Sequence, residues 1–384
     1  MKTAGIIAEY NPFHKGHEYQ IRYTKEKLKA DYVIVAMSGD YVQRGTPALI
    51  SKHTRAEMAL RCGADLVLEM PVSISTASAE AFAMGGVSLL DSLGVVDMLC
   101  FGSESGEISA LRELAEILVE EPEEYKKLLK SFLSEGLTFP AARSQALTEY
   151  FKNPRNFNGD DFDGVLTPLL NEVTQILNTP NNILGIEYCK AILEQEAPMT
   201  PVPLPRRGAN HGQTLEESGH AQFASASALR ALWAEGGAEA VAPFVPEKAF
   251  DLYKTAENDG AYTDFDAAGR CELTLLRAAC AKPEPFAAVR GVSEGLEHRL
   301  EHAVRQSTSL PQLLDALTTV RYPRARMRRL AMDAALGYTA DTVPTLPPAL
   351  HLLGARKDAL PLLGQVSLPV SHSLAKLAQT GPDG

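Results

Sequence analysis

Short apolar runs alternate with segments of helix length through the first hundred residues, and this alternation constrains the fold more than any other feature. The apolar runs cover residues 3–10, 31–38, 65–70 and 95–102. The helix-forming segments between them cover residues 16–30, 52–64 and 78–94. Near-continuous apolar strands separated by helices are typical of a parallel sheet that is covered on both faces. The sequence therefore predicts a doubly wound α/β domain.

Beyond residue 105 the pattern predicts helices and one further strand. Between residues 106 and 170, leucines recur three and four positions apart beside an acidic face, as in amphipathic helices. The segment MTPVPLPR (199–206) predicts a fifth strand, placed at its start or at the sheet edge by its prolines. We expect an α/β domain formed by 1–105 and 171–240, a helical insertion at 106–170, a helical domain at 241–337 and a segment of uncertain structure at 338–384.

Composition excludes several classes of protein. No apolar run reaches the roughly 18 residues that a membrane helix needs, and the N-terminal residues are typical of a core strand rather than a targeting segment. The five cysteines are scattered without a CxxC pair, which favours reduced core thiols. The net charge of −11 excludes a uniformly basic nucleic-acid binder but not a local basic patch. We expect a cytoplasmic protein that binds no membrane, and we predict no protein partner.

The strongest chemical signal is the segment YNPFHKGH at residues 10–17, between the first predicted strand and the first predicted helix. Nucleotides bind at this position in α/β sheets, yet the segment is neither a GxGxxG fingerprint nor a P-loop. His14 and His17 flank Gly16 at a helix N-terminus, where free backbone N–H groups attract phosphate. The imidazoles can donate hydrogen bonds to a phosphate in the transition state. The alternative is a helix cap plus a core histidine.

Longer segments resemble a known family. GIIAEYNPFHKGH, MSGDYVQRGTPAL, KHTRAEMALRCGADLVLEMP, FGSESG, PNNILGIEY and SASALR occur in this order. Together they resemble the bacterial tRNA(Met) cytidine acetate ligases of the HxGH nucleotidyltransferase superfamily, densely over residues 3–235 and loosely to 335. The resemblance implies a Rossmann-type domain with a five-stranded parallel sheet, a helical insertion and a C-terminal helical domain. It also implies that ATP converts acetate to acetyl-adenylate, and that the acetyl group passes to N4 of the wobble cytidine (position 34) of elongator tRNA(Met), giving N4-acetylcytidine.

The resemblance further implies an ATP site, with Mg²⁺ accompanying ATP and no metal site in the protein. Its residues are Ile7, Ala8, Glu9, Tyr10, Asn11, Pro12, Phe13, His14, Lys15, Gly16, His17, Glu18, Tyr19, Gln20, Gly102, Asn181, Asn182, Arg206, Arg207, Ser225 and Ser227. A strand-ending glycine lets adenine approach the backbone, adjacent arginines can fork onto phosphates, and hydroxyls at a helix start can clamp phosphate. Simple helix capping is the alternative for the serines and for the two asparagines, of which Asn182 is the preferred ATP contact.

The catalytic candidates are His14, His17, Asp40 and Arg44. Asp40 and Arg44 lie with Gln43 in the loop after the second predicted strand, at the carboxyl edge of the sheet. Arg44 can hold the acetate carboxylate or a phosphate, and Asp40 can orient the cytidine amine. The alternative for such loop side chains is plain solvation.

A basic cluster stands out in this acidic chain. The segment RYPRARMRR contains Arg321, Arg324, Arg326, Arg328 and Arg329. We expect these arginines to contact the RNA backbone, with Tyr322 available to stack on a base. The alternative is a solvated helix with acidic partners. The nearby HxxEH pattern at 298–302 lies in a regularly charged segment and is more typical of a solvated helix than of a zinc site.

Two other functions stay open at this point. A small-molecule coenzyme adenylyltransferase would share the HKGH segment but would need neither the helical region nor the arginine cluster. A non-catalytic RNA-binding protein with an ATP pocket would bind tRNA without turning over ATP. The favoured hypothesis is a ligase whose partners are elongator tRNA(Met), acetate and ATP.

Overall fold

The strands form one large sheet and one small hairpin. The computed structural model of the chain describes residues 1–153, 173–206, 224–293, 295–342 and 349–379. Its strands are β1 (Thr3–Ala8), β2 (Tyr32–Ser38), β3 (Tyr41–Val42), β4 (Thr46–Pro47), β5 (Leu66–Met70), β6 (Met98–Ser103), β7 (Thr200–Pro205), β8 (Leu350–Ala355) and β9 (Val370–Ser371). β3 and β4 form the hairpin, and the others follow the order β7–β6–β1–β2–β5–β8–β9. The first five in this order pair in parallel, which confirms the doubly wound core.

Helices connect and cover these strands. They are α1 (Lys15–Glu26), α2 (Lys52–Arg61), α3 (Val72–Ser75), α4 (Ala79–Asp91), α5 (Ile108–Glu120), α6 (Glu123–Ser134), α7 (Phe139–Lys152), α8 (Pro180–Glu194), α9 (Ala226–Val241), α10 (Glu247–Asn258), α11 (Phe265–Ala279), α12 (Leu296–Gln306), α13 (Leu310–Leu317), α14 (Arg324–Leu336) and α15 (Leu374–Ala378). Short 3₁₀ segments span Ala242–Phe244 and Lys357–Gln365. Among the described residues, the first region predicted to be helical contains α5, α6 and α7, and the second contains α10 to α14. The four domain boundaries stay predictions.

The sheet has seven strands among the described residues, so the prediction of five was wrong. β8 pairs antiparallel with β5, and β9 pairs parallel with β8. The backbone N–H of Arg356 continues this seam by donating to the carbonyl of Asp65 at 2.8 Å. A parallel sheet that ended at β5 would leave an unpaired row of backbone groups along a buried strand. The segment around β8 supplies their partners, which its neighbouring prolines made hard to foresee.

Alternate side chains of the central strands enter two cores, one on each face of the sheet. Ile7 and Ile34 pack under α4, α5 and α8, whereas Ile6 and Val35 pack under α1, α2, α9 and α10. A third core joins α11 to α14. Because parallel strands end at one edge, the loops that follow β1, β2, β6 and β7 gather there. This carboxyl edge is where the predicted site residues meet.

Candidate functional site

The two histidines of the HKGH segment cap α1 reciprocally. His14 Nδ1 accepts a hydrogen bond from the Gly16 N–H at 3.1 Å, and His17 Nδ1 accepts one from the His14 N–H at 3.2 Å. Their rings stack with centroids 3.6 Å apart. The Gly16 N–H is therefore occupied within the protein, so it is not one of the free N–H groups expected at this helix N-terminus. Capping and ligand binding use different ring nitrogens, so the capping alternative does not exclude a role for the imidazoles.

Both imidazoles are neutral at physiological pH. Burial, helped by the positive charge of Arg206, lowers the pKa of His14 to about 3. Burial and the neighbouring His14 hold the pKa of His17 well below its usual value. Because each Nδ1 accepts a backbone N–H, the proton of each neutral ring is on Nε2, which is thus a hydrogen-bond donor. The pair supplies two uncharged donors in a largely water-excluded place.

Aromatic side chains hold His17 in this position. The rings of Tyr10 and Phe13 lie 4.8 Å and 5.6 Å from the His17 ring, centroid to centroid. Tyr10 and Phe13 are buried, and Tyr10 has a left-handed backbone with φ of 49°. Strained backbone of this kind persists where the surrounding structure imposes it, often at a functional site. Their side chains position His17 rather than face a nucleotide.

The other residues of the predicted 7–20 segment are mostly engaged within the protein. Asn11 Oδ1 accepts from the Leu49 N–H at 2.8 Å, Gln20 donates to the Cys100 carbonyl at 3.0 Å, and Lys15 donates to the Pro243 carbonyl at 2.5 Å. Glu18 pairs with Lys248 at 3.0 Å. These side chains therefore fasten the turn and the start of α1 to the neighbouring elements. The remaining members of the predicted set are Ile7, Ala8, Pro12 and Tyr19. Ile7 lies in the core under α4, Ala8 and Tyr19 pack against the core on the other face, and Pro12 is buried.

Arg206 and Gly102 border the histidine pair at the ends of β7 and β6. The Arg206 N–H donates to the Ser103 carbonyl at 2.9 Å, which extends the β6–β7 ladder by one residue. A Cβ added to Gly102 would meet the Cγ and Cδ atoms of Arg206 at 3.7 and 3.9 Å, an ordinary contact. The fold alone thus does not require glycine at this position. Arg207, also predicted for the site, lies outside the described residues.

Asn182 and Asn181 fasten the loop after β6 to the start of α8. Asn182 Oδ1 accepts from the Ser103 hydroxyl at 2.6 Å and from the Glu104 N–H at 2.9 Å. In return, the Glu104 carboxylate accepts from the Asn181 side chain at 2.5 Å and from the Asn182 N–H at 2.9 Å. The asparagine side chains therefore do not cap α8; Glu104, from another element, accepts from its first N–H groups instead. Sequence reasoning missed Glu104.

The start of α9 brings a serine pair and an arginine to the same edge. Ser225 caps α9 by accepting from the Ala228 N–H at 3.2 Å, and its hydroxyl lies 3.1 Å from that of Ser227. Arg230, one turn along, donates to the Asn11 carbonyl at 2.6 Å. Arg230 was absent from the predicted set, although the motif SASALR contains it. Its guanidinium places a positive charge against the HKGH turn.

Glu9 joins the HKGH turn to the loop after β2. Its carboxylate accepts from the Gln43 N–H at 2.8 Å. Burial raises the pKa of Glu9, while that hydrogen bond and the charges of Arg230 and Arg44 oppose the rise. Arg230 in turn has its pKa lowered by burial and by Arg44, and raised by Glu9. Glu9 and two arginines therefore form one electrostatic group, with a surplus of positive charge.

Asp40 is exposed and takes part in a second polar group. Its carboxylate accepts from the Lys52 N–H at 3.0 Å and thus holds the start of α2. The Lys52 ammonium lies 3.6 Å from Asp40 and 2.8 Å from Glu69. Glu69 also contacts the ring of His351 on β8. No local sequence pattern indicates this group, because its members are up to 311 positions apart along the chain, from 40 to 351.

Arg55 lies fully buried beneath the carboxyl edge. Its guanidinium donates to the backbone carbonyls of Ser38 at 3.0 Å, Gly39 at 2.5 Å, Ile50 at 2.8 Å and Glu9 at 2.5 Å. These hydrogen bonds tie the ends of β1 and β2 to α2. Burial lowers the pKa of Arg55 to about 10, so the side chain is still cationic at neutral pH. Sequence reasoning missed it because its helix reads as polar.

The arginines on and before α14 differ in their burial and in the groups they contact. Arg328 is buried and forms two hydrogen bonds with Glu272, at 2.6 and 2.7 Å, so our prediction that it contacts RNA was wrong. Arg324 is exposed and pairs with Asp315. Arg321 and Arg326 lie over the Tyr322 ring, 5.9 and 5.2 Å from its centroid. The remaining member, Arg329, packs against the β3–β4 hairpin.

The described part of the chain contains neither a metal-binding cluster nor a helix that could cross a membrane. No cluster of three or more His, Cys, Asp or Glu side chains there is arranged to hold a metal ion. None of the helices described is both long and apolar enough to span a bilayer.

Comparison with known proteins agrees with this geometry. The family model of the HIGH nucleotidyl transferases matches residues 1–379. The tRNA(Met) cytidine acetate ligase of Clostridium perfringens strain SM101 is 36% identical over 100% of this chain and 92% of its own length. That of Thermoanaerobacter sp. strain X514 is 38% identical over 95% of this chain and 86% of its own. The chain belongs to the tRNA(Met) cytidine acetate ligase family.

Solved structures from this family superpose on the whole chain. Thermotoga maritima TmcAL in its apo form has a TM-score of 0.88 at 35% identity, covering 100% of this chain and 89% of that one. The same protein bound with alpha-thio ATP has a TM-score of 0.86 at 34% identity, covering 99% of this chain and 87% of that one. The similarity to tRNA(Met) cytidine acetate ligases that the sequence motifs predicted is confirmed.

Proposed function

We propose that this protein uses ATP to activate acetate as acetyl-adenylate and transfers the acetyl group to N4 of the wobble cytidine of elongator tRNA(Met). The observation that carries the proposal is the pair of neutral imidazoles beside Arg206 at the carboxyl edge of the sheet. Two Nε2–H donors next to a cation suit a phosphate whose charge grows as a bond to it breaks. Membership of the ligase family supports the choice of substrates.

In the first step, an acetate oxygen attacks the α-phosphorus of ATP, and the bond from that phosphorus to the β-phosphate bridging oxygen breaks. Pyrophosphate leaves with the electron pair. His14, His17 and Arg206 stabilise the charge on the phosphates. Arg230, which donates to the Asn11 carbonyl at 2.6 Å, and Ser227 hold the leaving group. Mg²⁺ accompanies ATP as part of the substrate, and we assign it no protein ligands.

In the second step, the cytidine N4 attacks the acyl carbon of acetyl-adenylate. The bond from this carbon to the bridging oxygen breaks, AMP leaves, and N4 loses a proton to solvent or to a nearby carboxylate. Asp40, which is exposed, orients the amine, and Arg44, also exposed, holds the acetate carboxylate in the first step or a phosphate.

The helical region then supplies the RNA surface. Arg321, Arg324, Arg326 and Arg329 remain candidates for phosphate contacts after Arg328 is assigned to Glu272. Elongator tRNA(Met) is expected to bind across α14 so that its anticodon loop reaches the sheet edge. Arginine contacts of this kind make affinity depend steeply on salt concentration.

The test is exchange of labelled pyrophosphate into ATP, measured with and without acetate and with and without tRNA(Met). Exchange that requires acetate, followed by transfer of labelled acetate to the tRNA, is the expected result. Exchange that ignores acetate would favour a coenzyme adenylyltransferase. Tight tRNA binding with no exchange under any condition would favour a non-catalytic RNA-binding protein.

A further inference from the structure

We infer that the contact between the β3–β4 hairpin and α14 is a binding site for the RNA phosphate next to the modified nucleotide, with Arg329 as its anion-binding side chain. We call this contact the hairpin–helix seam; it consists of Arg44 and Gly45 on the hairpin and Arg326 and Arg329 on α14. The inference rests on the proposed function and narrows it, because it selects one place on the basic region and one part of the RNA.

The seam lies close to the candidate active site. Gly45 has a φ of +74°, and a Cβ added there would lie 2.9 Å from the Cα of Arg329. The hairpin backbone thus lies directly on the backbone of α14, which only glycine permits. Two residues earlier, the Gln43 N–H donates to Glu9 at 2.8 Å. Two residues of chain span at most about 7 Å, so the seam lies beside the HKGH turn.

The positive charge of Arg329 is not balanced by a hydrogen-bonded acidic side chain among the described residues. The Arg329 side chain is half-buried, and no side chain of the described residues accepts a hydrogen bond from it. The one acidic side chain that raises the pKa of Arg329 against its burial is Asp333, which Arg290 already binds through two hydrogen bonds of 2.9 and 2.7 Å. Burial, Arg290 and Arg326 all lower the pKa of Arg329. An arginine that is crowded by cations in a chain of net charge −11 is a site for an anion.

Two other arginines of the segment differ from Arg329 because each has an acidic partner. Arg328 pairs with Glu272 and Arg324 pairs with Asp315, so each of these two guanidinium groups already has an acidic partner. A phosphodiester can accept two parallel hydrogen bonds from a guanidinium. The position of Arg329 then places that phosphate next to the nucleotide whose base enters the site.

The experiment compares Arg329→Gln with Arg112→Gln, which removes one exposed charge from α5 far from the seam. Binding is measured by salt titration with full-length tRNA(Met), with its anticodon stem-loop, and with stem-loops that carry a single neutral methylphosphonate near the target cytidine. We expect Arg329→Gln to weaken binding of both RNAs about tenfold and to lower the salt slope by about one, as one lost phosphate contact does. Arg112→Gln should change neither.

The methylphosphonate series identifies the phosphate. One substitution next to the target cytidine should weaken binding to the unmodified protein by the same factor as Arg329→Gln, and should have no further effect in that variant. Equal affinities for Arg329→Gln and Arg112→Gln would overturn the inference. So would a loss seen only with full-length tRNA, or a raised KM for ATP in pyrophosphate exchange without any loss of RNA affinity. These binding measurements need no turnover, so a missing ligase activity would reject the proposed function alone.

Discussion

The HKGH turn and the arginine helix α14 handle charge in opposite ways. In the turn, burial makes the two histidines neutral, and their Nδ1 atoms are used by the backbone. On α14, the charged arginines differ in their acidic partners. Arg328 is buried against Glu272, whereas Arg329 has no such partner among the described residues. The comparison teaches that a basic residue's role follows from its partners rather than from its type. The predictions below test that contrast.

The largest effect is expected for His17→Ala. Removing one preorganised donor to a developing charge costs about 10²–10³-fold in rate, so acetate-dependent pyrophosphate exchange should fall by that factor. Affinity for tRNA(Met) should stay within twofold, because the His17 imidazole acts on the ATP phosphates, whereas the arginines of α14 bind the RNA. His298→Ala, which removes an exposed imidazole on α12, is the matched control. Exchange that survives in His17→Ala would remove the histidine pair from the mechanism.

Next comes the buried ion pair on the other side of the comparison. Arg328→Met should lower the free energy of unfolding by about 3 kcal/mol, because it leaves the Glu272 carboxylate buried without its partner. Adding Glu272→Leu should restore most of the stability, since an apolar pair of similar volume replaces the ion pair. Urea unfolding measures both, with Arg324→Met as the exposed control. A stable Arg328→Met variant with weaker RNA binding would return Arg328 to the RNA surface.

The neutral state of His14 predicts a dependence of stability on pH. Its pKa is about 3 in the folded chain, against an ordinary value of 6.5. The unfolded chain therefore binds an extra proton below pH 6.5, and the free energy of unfolding falls by about 1.4 kcal/mol per pH unit as pH decreases toward 3. Urea unfolding of wild type and His14→Asn between pH 7 and 5 should show a smaller slope in the variant. An equal slope would mean that His14 titrates normally.

The smallest effect is expected at Gly102. A methyl group at this position meets only side-chain carbons of Arg206 at 3.7 and 3.9 Å, so Gly102→Ala should leave the thermal midpoint unchanged. If ATP approaches the backbone here, its KM should rise about tenfold, the equivalent of one displaced contact of about 1.4 kcal/mol. Gly364→Ala, at a position with open space around it, is the control. An unchanged KM for ATP would place the nucleotide elsewhere along the edge.

The parallel core could be predicted because each of its strands is recognisable from its own residues as a short apolar run. β8 is equally apolar, but its role depends on β5, which is distant along the chain, and no local pattern encodes that pairing. The site shows the same division. The HKGH turn is contiguous and was recognised, whereas the partners of Arg328 and Asn182 lie 56 and 78 or 79 positions away. Arg55 was missed because only tertiary burial reveals the carbonyls that it binds.

The late strand β8 also has a consequence for the order in which the protein is made. β5 is synthesised early, and its outer edge stays unpaired until residues 350–355 emerge to cover it. An exposed apolar edge is a template for pairing with other chains, and nascent or partly folded chains are prone to such association. During most of its synthesis this polypeptide therefore exposes an unpaired strand edge that can associate with other chains. A chaperone that shields this edge would bind the segment from Leu66 to Met70.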